Sequence, residues 1–332
     1  MTITRVQTPG KLYLAGEYAI LWPGQTALIK SIPIYMIAKI EAADTFEIRS
    51  DMFDYSVGRK LDGNYSLIQE TIDLFEDYSD SLLPPFNLQI SGKMERDGKK
   101  LGIGSSGSVV ILTLKALAEW TGMALSADTL FKLASAVLLR RGDNGSMGDL
   151  ACISYEGLIA YRSFDRQRVA QWLSEHSLSE VLKRDWGYVI EPVQVAEPVT
   201  FLAGWTQEPA ISKDLINLVQ SSIDEAFLSN TQEAVLAIKA GLEAGDSQVV
   251  AAGLNRVHEL LTDLHPAIYS EKLQALRQAS QGLGAVAKSS GAGGGDCGVA
   301  LLFDERNRNE LVSRWETAGI EILHEEILGK EG

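Results

Sequence analysis

The sequence predicts a chain of mixed α and β structure folded as two domains, the first of which opens in strands. Three observations carry this. The chain has 332 residues, 45% of them hydrophobic, enough to bury two cores. Its first ninety residues favour β-branched types in partial alternation before helical periodicity takes over. After a loose EPVQVAEP at 191–198 a strand followed by helices begins again, which places the domain boundary between residues 195 and 196.

In order along the chain, TALIKSIPIYMIAKIEA (26–42) and TFEIRSD (45–51) read as strands, set off by the break at Trp22-Pro23-Gly24. SLIQETIDLFEDY (66–78) reads as a helix with Ser66 and Gln69 in capping-box spacing, and PFNLQISGKM (85–94) returns to a strand. VVILTLKALAEW (109–120) is apolar almost all round and predicts a buried helix. SADTLFKLASAVLLR (126–140) predicts a second helix, with Ser126 as its N-cap. RGDNGSMGDL (141–150) has loop chemistry, and ACISYEGLIAYRSF (151–164) resembles a hairpin. Two short helices follow, the second opened by Ser177 and Glu180. In the second half, TFLAGWT (200–206) is a strand, helices run from Ser212 to Ala279, and AVAKSSGAGGGDCGVALLFD (285–304) joins a glycine-rich turn to a strand. A helix around Trp315 and the strand IEILHEEIL (320–328) close the pattern.

The net charge of −14 argues against a nucleic-acid partner, because duplex binding rests on neutralising many phosphates. Two cysteines, Cys152 and Cys297, do not make a disulfide framework and suit a reducing compartment. No stretch approaches the roughly 20 apolar residues of a membrane span, and no signal-peptide run opens the sequence. The expectation is a soluble, cytoplasmic protein with no membrane partner. The four histidines are scattered, so no metal cluster is expected from them.

The chemistry concentrates in KKLGIGSSGSVV (99–110). Gly102, Gly104 and Gly107 have the G-x-G-x-x-G spacing of a dinucleotide turn, while Gly102 and Gly107 match a phosphate loop in which Ser108 replaces the lysine. A dinucleotide turn needs a buried strand before it, and KMERDGKK is not one. A plain tight turn before a buried helix would explain the glycines alone. It does not explain consecutive serines at the helix start beside Lys93, Arg96, Lys99 and Lys100. A helix N-terminus presents unpaired N–H groups and a positive dipole end, so this loop is expected to hold an anion.

Two further segments complete a pattern. PGKLYLAGEY (9–18), GIGSSGS (102–108) and KSSGAGGGDC (288–297), in this order and spacing, resemble the three signature motifs of the GHMP kinases. The resemblance spans almost the whole chain. It implies an α+β, two-domain GHMP kinase fold, with an N-terminal α/β domain over 1–195 and a ferredoxin-like C-terminal domain over 196–332. It also implies ATP as phosphoryl donor and Mg2+ as cofactor, with the nucleotide phosphates over Gly102, Gly104, Ser105, Ser106, Gly107 and Ser108. Ser105 and Ser106 are the expected metal ligands.

Within that resemblance Lys11 is the expected fixed cation of the reacting centre, and Tyr18 an acceptor contact; Glu17 is expected to be structural. Asp149 stands where mevalonate kinases carry their catalytic aspartate, and would take a proton from the acceptor or orient it. Asn144, Ser146, Ser212, Ser290, Gly291, Ala292 and Gly293 are expected acceptor contacts. The magnesium-binding glutamate of mevalonate kinases has no counterpart here, its region reading AVLLRR (136–141). Cys297 is expected to pack before a strand, and Asn64 to Ser66 is the expected adenine region.

The acceptor is expected to carry a phosphate of its own. Two unit charges about 4 Å apart repel by roughly 4 kcal/mol at an effective dielectric near 20. Such a site must therefore gather cations, and Lys11, Lys100, Arg140, Arg141 and Lys288 are in or beside the motifs. Of these, Lys11, Lys100, Arg141 and Lys288 are expected to touch the acceptor. The third motif, RGDNGSMGDLAC and GKMERDGKK are most similar to bacterial family members that phosphorylate phosphomevalonate. The expected substrates are thus ATP and phosphomevalonate. Phosphorylation of mevalonate or another small alcohol is the alternative. A non-catalytic small-molecule sensor is a further one, against which the presence of both Lys11 and Asp149 weighs.

Overall fold

The computed structural model of the chain describes residues 3–92, 94–210 and 212–329, with backbone alone at 212–214. The first part contains β1 (Thr4–Ala15), β2 (Thr26–Ala42), β3 (Glu47–Ser50), β4 (Ser56–Val57), α1 (Ser66–Ser79), β5 (Phe86–Ser91), β6 (Glu95–Arg96), β7 (Lys99–Lys100), α2 (Ser105–Thr121), α3 (Ala127–Arg140), α4 (Gly148–Tyr155), β8 (Leu158–Arg162), α5 (Arg166–Glu175), α6 (Leu178–Lys183) and β9 (Val189–Pro192). The second contains β10 (Val199–Trp205), α7 (Ser212–Val219), α8 (Glu225–Ala244), α9 (Ser247–Leu264), α10 (Glu271–Ala279), β11 (Ala285–Ser289), β12 (Cys297–Leu302), α11 (Arg308–Thr317) and β13 (Glu321–Leu328).

The long strand β2 organises the first sheet. Its start pairs with β8, its end with β5, and β1 runs antiparallel along it, in the order β4-β3-β5-β2-β8-β9. The β1–β2 register shifts between Pro9 and Gly10, where Pro33 and Ile34 bulge out of β2. A bulge of this kind tolerates proline, and Lys11 follows it on β1, opposite Ser31. α2 lies on this sheet with α1, α3 and α4 around it. Val110, Ile111, Leu112, Leu114 and Leu117 are all fully buried there, as an all-round apolar helix must be.

The second sheet is antiparallel in the order β11-β12-β10-β13, a ferredoxin-like βαββαβ arrangement. Trp315 of α11 is buried against it and donates its indole N–H to the Leu276 carbonyl (2.9 Å). The halves are tied together by Gln232 of α8, which bonds the Thr26 backbone N–H (2.8 Å) and hydroxyl (3.0 Å), and by the ion pair of Lys30 with Glu326 (2.7 Å). No described helix is long and apolar enough to cross a membrane.

Local signals held where the residues involved are neighbours. Ser126 caps α3 through the Thr129 N–H, and Ser177 and Glu180 form a complete capping box on α6. Two expectations fail. Ser66 and Gln69 make no capping box: the α1 N-cap is Tyr65, the Ser66 hydroxyl donates to the Gly63 carbonyl, and the Gln69 amide turns back to Gly58, Lys60 and Asp62. The first arm of the expected hairpin is instead α4. Leu150, Ala151, Cys152 and Ile153 are buried on every side, so their apolar run carries no period to distinguish helix from strand.

Candidate active site

Three connections bring the glycine-rich segments together. The Lys11 N–H donates to the Ile103 carbonyl (2.9 Å), and the Ser108 hydroxyl donates to the Pro9 carbonyl (3.2 Å), joining β1 to the loop before α2. The Cys297 thiol donates to the Leu101 carbonyl (3.0 Å), joining that loop to β12. The Tyr18 hydroxyl donates to the Ala292 carbonyl (2.5 Å), and Lys288 pairs with Glu17 (2.5 Å), joining the first segment to the third.

The loop before α2 depends on bare backbone. Gly102 and Gly104 both have positive φ, 72° and 89°. A Cβ on Gly102 would lie 2.4 Å from Asp296, and one on Gly104 would lie 2.7 Å from Lys11 Cε. Side chains at those two positions would push away the very groups that approach the loop. Gly104 is the N-cap of α2 and has no side chain to bond the helix start. The N–H groups of Ser105, Ser106 and Gly107 thus begin the helix without intrahelical acceptors. Ser105 is half-buried and Ser106 exposed.

Around this loop lies a cleft of about 230 Å3, lined among others by Lys11, Tyr13, Tyr18, Gly102, Ser146 and Asp149. The turn Ser290, Gly291, Ala292 and Gly293 forms the opposite wall, beside Asp296. Asp149 projects from the first turn of α4 toward Gly107, where a Cβ would meet its Oδ2 at 2.7 Å. Burial pushes its pKa up, opposed by Lys11 and by the N–H of Leu150 (3.0 Å). Lys11 stretches across Gly104, its ammonium 5.2 Å from the Tyr13 ring centroid. The Tyr13 and Ser146 hydroxyls are 3.0 Å apart, and burial holds Tyr13 protonated. Tyr18 (φ 62°) and Met147 (φ 64°) occupy backbone conformations that cost non-glycine residues of order 1–3 kcal/mol each.

Several expected contacts fall elsewhere. Lys288 is 1% exposed and gives its ammonium to Glu17 and to the Ser289 carbonyl (2.5 Å), so it locks two segments together instead of facing the cleft. The Ser108 hydroxyl is fully buried on Pro9 and faces no ligand. Arg141 pairs with Glu70 (2.6 Å) and Arg140 with Asp77 (3.0 Å), both on α1, so neither arginine stands in for the absent acid near the acceptor. Asn144 lines a neighbouring cavity, and Lys100 is exposed on β7 at the edge, near enough to favour ionised Asp296. Asn64 donates to Tyr55 (2.9 Å), Tyr65 is buried, and Ser66 is bonded by Arg141; none lines the cleft. Lys93 and the Ser212 side chain lie outside the described residues.

The cation cluster expected from the sequence is therefore mostly paired away, and among the described residues lining the cleft Lys11 is the one cation. Tyr13 and Asp296 were not anticipated as lining residues. Tyr13 looks like any strand tyrosine, whereas an acid among the glycines of KSSGAGGGDC is visible in the sequence as a departure from the family's glycine run; in the structure it stands at φ 51°. Cys297 is buried as expected, and Cys152 is held as a thiol by burial, its pKa pushed up to about 12.

Comparison with known proteins gives relatives that align along almost the whole chain. Residues 66–157 match the family model of the GHMP kinases N terminal domain, and residues 238–321 match that of the GHMP kinases C terminal domain. The chain is 32% identical to a phosphomevalonate kinase of Streptomyces sp. (strain CL190), across 96% of this chain and 95% of that one. It is 24% identical to a mevalonate kinase of Methanocaldococcus jannaschii across 96% and 98%. Its fold superposes with a TM-score of 0.96 on a Streptococcus pneumoniae phosphomevalonate kinase in complex with phosphomevalonate and AMPPNP. That protein is 51% identical, with 98% of this chain and 100% of that one covered. Model matches over more than half of its length, and a relative above 30% identity aligned almost end to end, establish that the chain belongs to the GHMP kinase family.

Proposed function

We propose that this chain catalyses the ATP-dependent phosphorylation of (R)-5-phosphomevalonate to (R)-5-diphosphomevalonate, a step of the mevalonate route to isoprenoids, in the cytoplasm. The observation that carries the reading is the shared cleft, lined by Lys11, Asp149, Gly102 of the loop before α2 and the Ser290–Gly293 turn. The choice of a phosphate acceptor is supported by the 32% and 51% identical relatives, not by a count of cations. We also propose that the chain divides into domains at 195/196, a reading supported by the end of β9 at Pro192 and the start of β10 at Val199.

The donor's phosphates sit over the first turn of α2, where free N–H groups and the dipole favour negative charge. Gly102 and Gly104 let them approach the main chain, and Ser105 and Ser106 add hydroxyls. Lys11 holds the transferring phosphoryl group as its charge shifts toward the leaving oxygen. The acceptor phosphate lies beside Asp149, Ser146 and Tyr18. At neutral pH a phosphate monoester is mostly the dianion, second pKa near 6, so its oxygen can attack without a base. Asp149 then orients that oxygen, and its raised proton affinity lets it take the remaining proton from the monoanion. The bond between the γ-phosphorus and its bridging oxygen breaks as the new one forms, and ADP leaves.

Mg2+ fits this chain as a nucleotide-borne ion. Among the described residues no group of three or more His, Cys, Asp or Glu side chains forms a cage. One carboxylate and serine hydroxyls beside a triphosphate are a donor set that magnesium accepts. Asp149, Ser105 and Ser106 would hold it, and its charge would neutralise the phosphate oxygens.

An ADP-release assay with mevalonate, phosphomevalonate, galactose and homoserine as acceptors tests the proposal. ADP is expected with phosphomevalonate; turnover of mevalonate alone overturns it.

A further inference from the structure

The cleft adjoins a second cavity, of about 610 Å3, with Leu21 and Ile216 lining both. This cavity lies between the turn after β1, the 142–144 loop, the start of α5, and α7 with the turn that follows it. Much of its wall is apolar, with Trp22, Leu139, Ala170 and Ile223 among the lining residues. Among the described residues lining it, the cation is Arg166, the first residue of α5.

The Arg166 guanidinium is fixed but not satisfied. One terminal nitrogen, Nη2, donates to the Leu21 carbonyl (2.6 Å). The other, Nη1, is buried and has no hydrogen-bond partner. Two carboxylates line the same cavity and act on Arg166 through their charge, but their hydrogen bonds go to backbone: Asp143 accepts from the Gly145 N–H (2.7 Å), and Asp165 caps α5 through the Arg168 N–H (3.0 Å). A buried guanidinium donor without an acceptor is the exception in folded proteins, and a carboxylate is an acceptor that suits it.

The acceptor read above supplies such a group. Phosphomevalonate has a phosphate at one end, a carboxylate at the other and a methyl branch between them. The phosphate end must meet the donor beside Lys11 and Asp149, which leaves the carboxylate to lie farther along. Lys11 is the one cation among the described residues lining the cleft, and Arg140, Arg141 and Lys288 are paired elsewhere.

We propose that Arg166 is a specificity-determining residue that receives the acceptor's carboxylate in the cavity next to the cleft, so that the enzyme reads both ends of its substrate. This rests on the phosphomevalonate reading and adds a residue and a chemical requirement to it. Phosphate transfer alone would not need the carboxylate.

The test compares wild type, Arg166→Gln and Arg166→Lys on phosphomevalonate and on its carboxamide analogue, with folding checked by thermal melts. Losing a charge-assisted hydrogen bond predicts that wild type disfavours the carboxamide about 10- to 100-fold in kcat/KM. Arg166→Gln is expected to lose a similar factor on phosphomevalonate, mainly through KM, to keep its KM for ATP, and to treat both acceptors alike. Arg166→Lys keeps a charge and a donor for the Leu21 carbonyl, and is expected to recover part of the preference. Equal losses on both acceptors with the preference intact would mean that Arg166 only props up the Leu21 turn, and would overturn the proposal. A wild-type enzyme that ignores phosphomevalonate but phosphorylates mevalonate would overturn the acceptor reading itself, a result told apart by the wild-type arm alone.

Discussion

Replacing Lys288 by methionine will leave the buried Glu17 carboxyl without its ion-pair partner. Both side chains are at most 2% exposed, and the ammonium lies 2.5 Å from the carboxylate. At that separation the Coulomb attraction is about 7 kcal/mol for an effective dielectric of 20, a gain that the desolvation of two ions largely offsets. The intact pair is therefore worth little net, but removing one partner is expected to destabilise the protein by about 3–5 kcal/mol. Glu17→Gln/Lys288→Met removes both charges and is expected to recover most of that loss. Urea titrations of wild type, both single variants and the double variant close the cycle. A Lys288→Met protein of unchanged stability whose KM for the acceptor rises tenfold would refute the reasoning, since it would make Lys288 a ligand and not a clasp between two segments of the site.

Asp149→Asn is expected to lower kcat by about 10^2- to 10^4-fold. Because burial raises the Asp149 pKa, its ionised form is disfavoured in the folded state. That cost is absent below the unfolded-state pKa and complete above the folded one, so the variant will gain stability relative to wild type as pH rises through the carboxylate range, seen in paired melts. Ser108→Ala removes the hydroxyl that bonds Pro9 and is expected to lower stability by about 1 kcal/mol while leaving the KM for ATP near wild type. His258 packs edge-on against Tyr269 (4.5 Å), and burial, with help from Arg277 and Lys288, lowers its pKa to about 4. Its depressed pKa contributes stability that is present above about pH 6.5 and lost as pH falls toward 4; His258→Gln is expected to flatten that part of the urea-midpoint profile.

The sequence disclosed most where neighbours in the chain decide the outcome. The 26–42 strand, the Ser126 cap and the Ser177–Glu180 box are local, and the structure has all three. The glycine-rich segments were legible for a related reason: Gly102 and Gly104 have to be bare so that Asp296 and Lys11 can approach them. What could not be read was partnership across the fold. Lys288 looks like a ligand until Glu17, 271 positions away, is seen beside it, and Arg140 and Arg141 look free until α1 is packed against them. α4 was missed because a short apolar segment buried on all sides has no face. Arg166 was missed for a similar reason. In RQRVAQWLSE nothing local separates it from Arg168, and only the packing of α5 beside Leu21 buries one of its nitrogens.

Which oxygen receives the phosphoryl group decides the assignment, and phosphorus NMR of a reaction with ATP and phosphomevalonate observes that directly. The monoester resonance is expected to disappear while two mutually coupled signals of a diphosphate ester grow in step with ADP. A monoester signal that persists while ADP accumulates, or a second monoester signal from phosphorylation of the free hydroxyl, would contradict it.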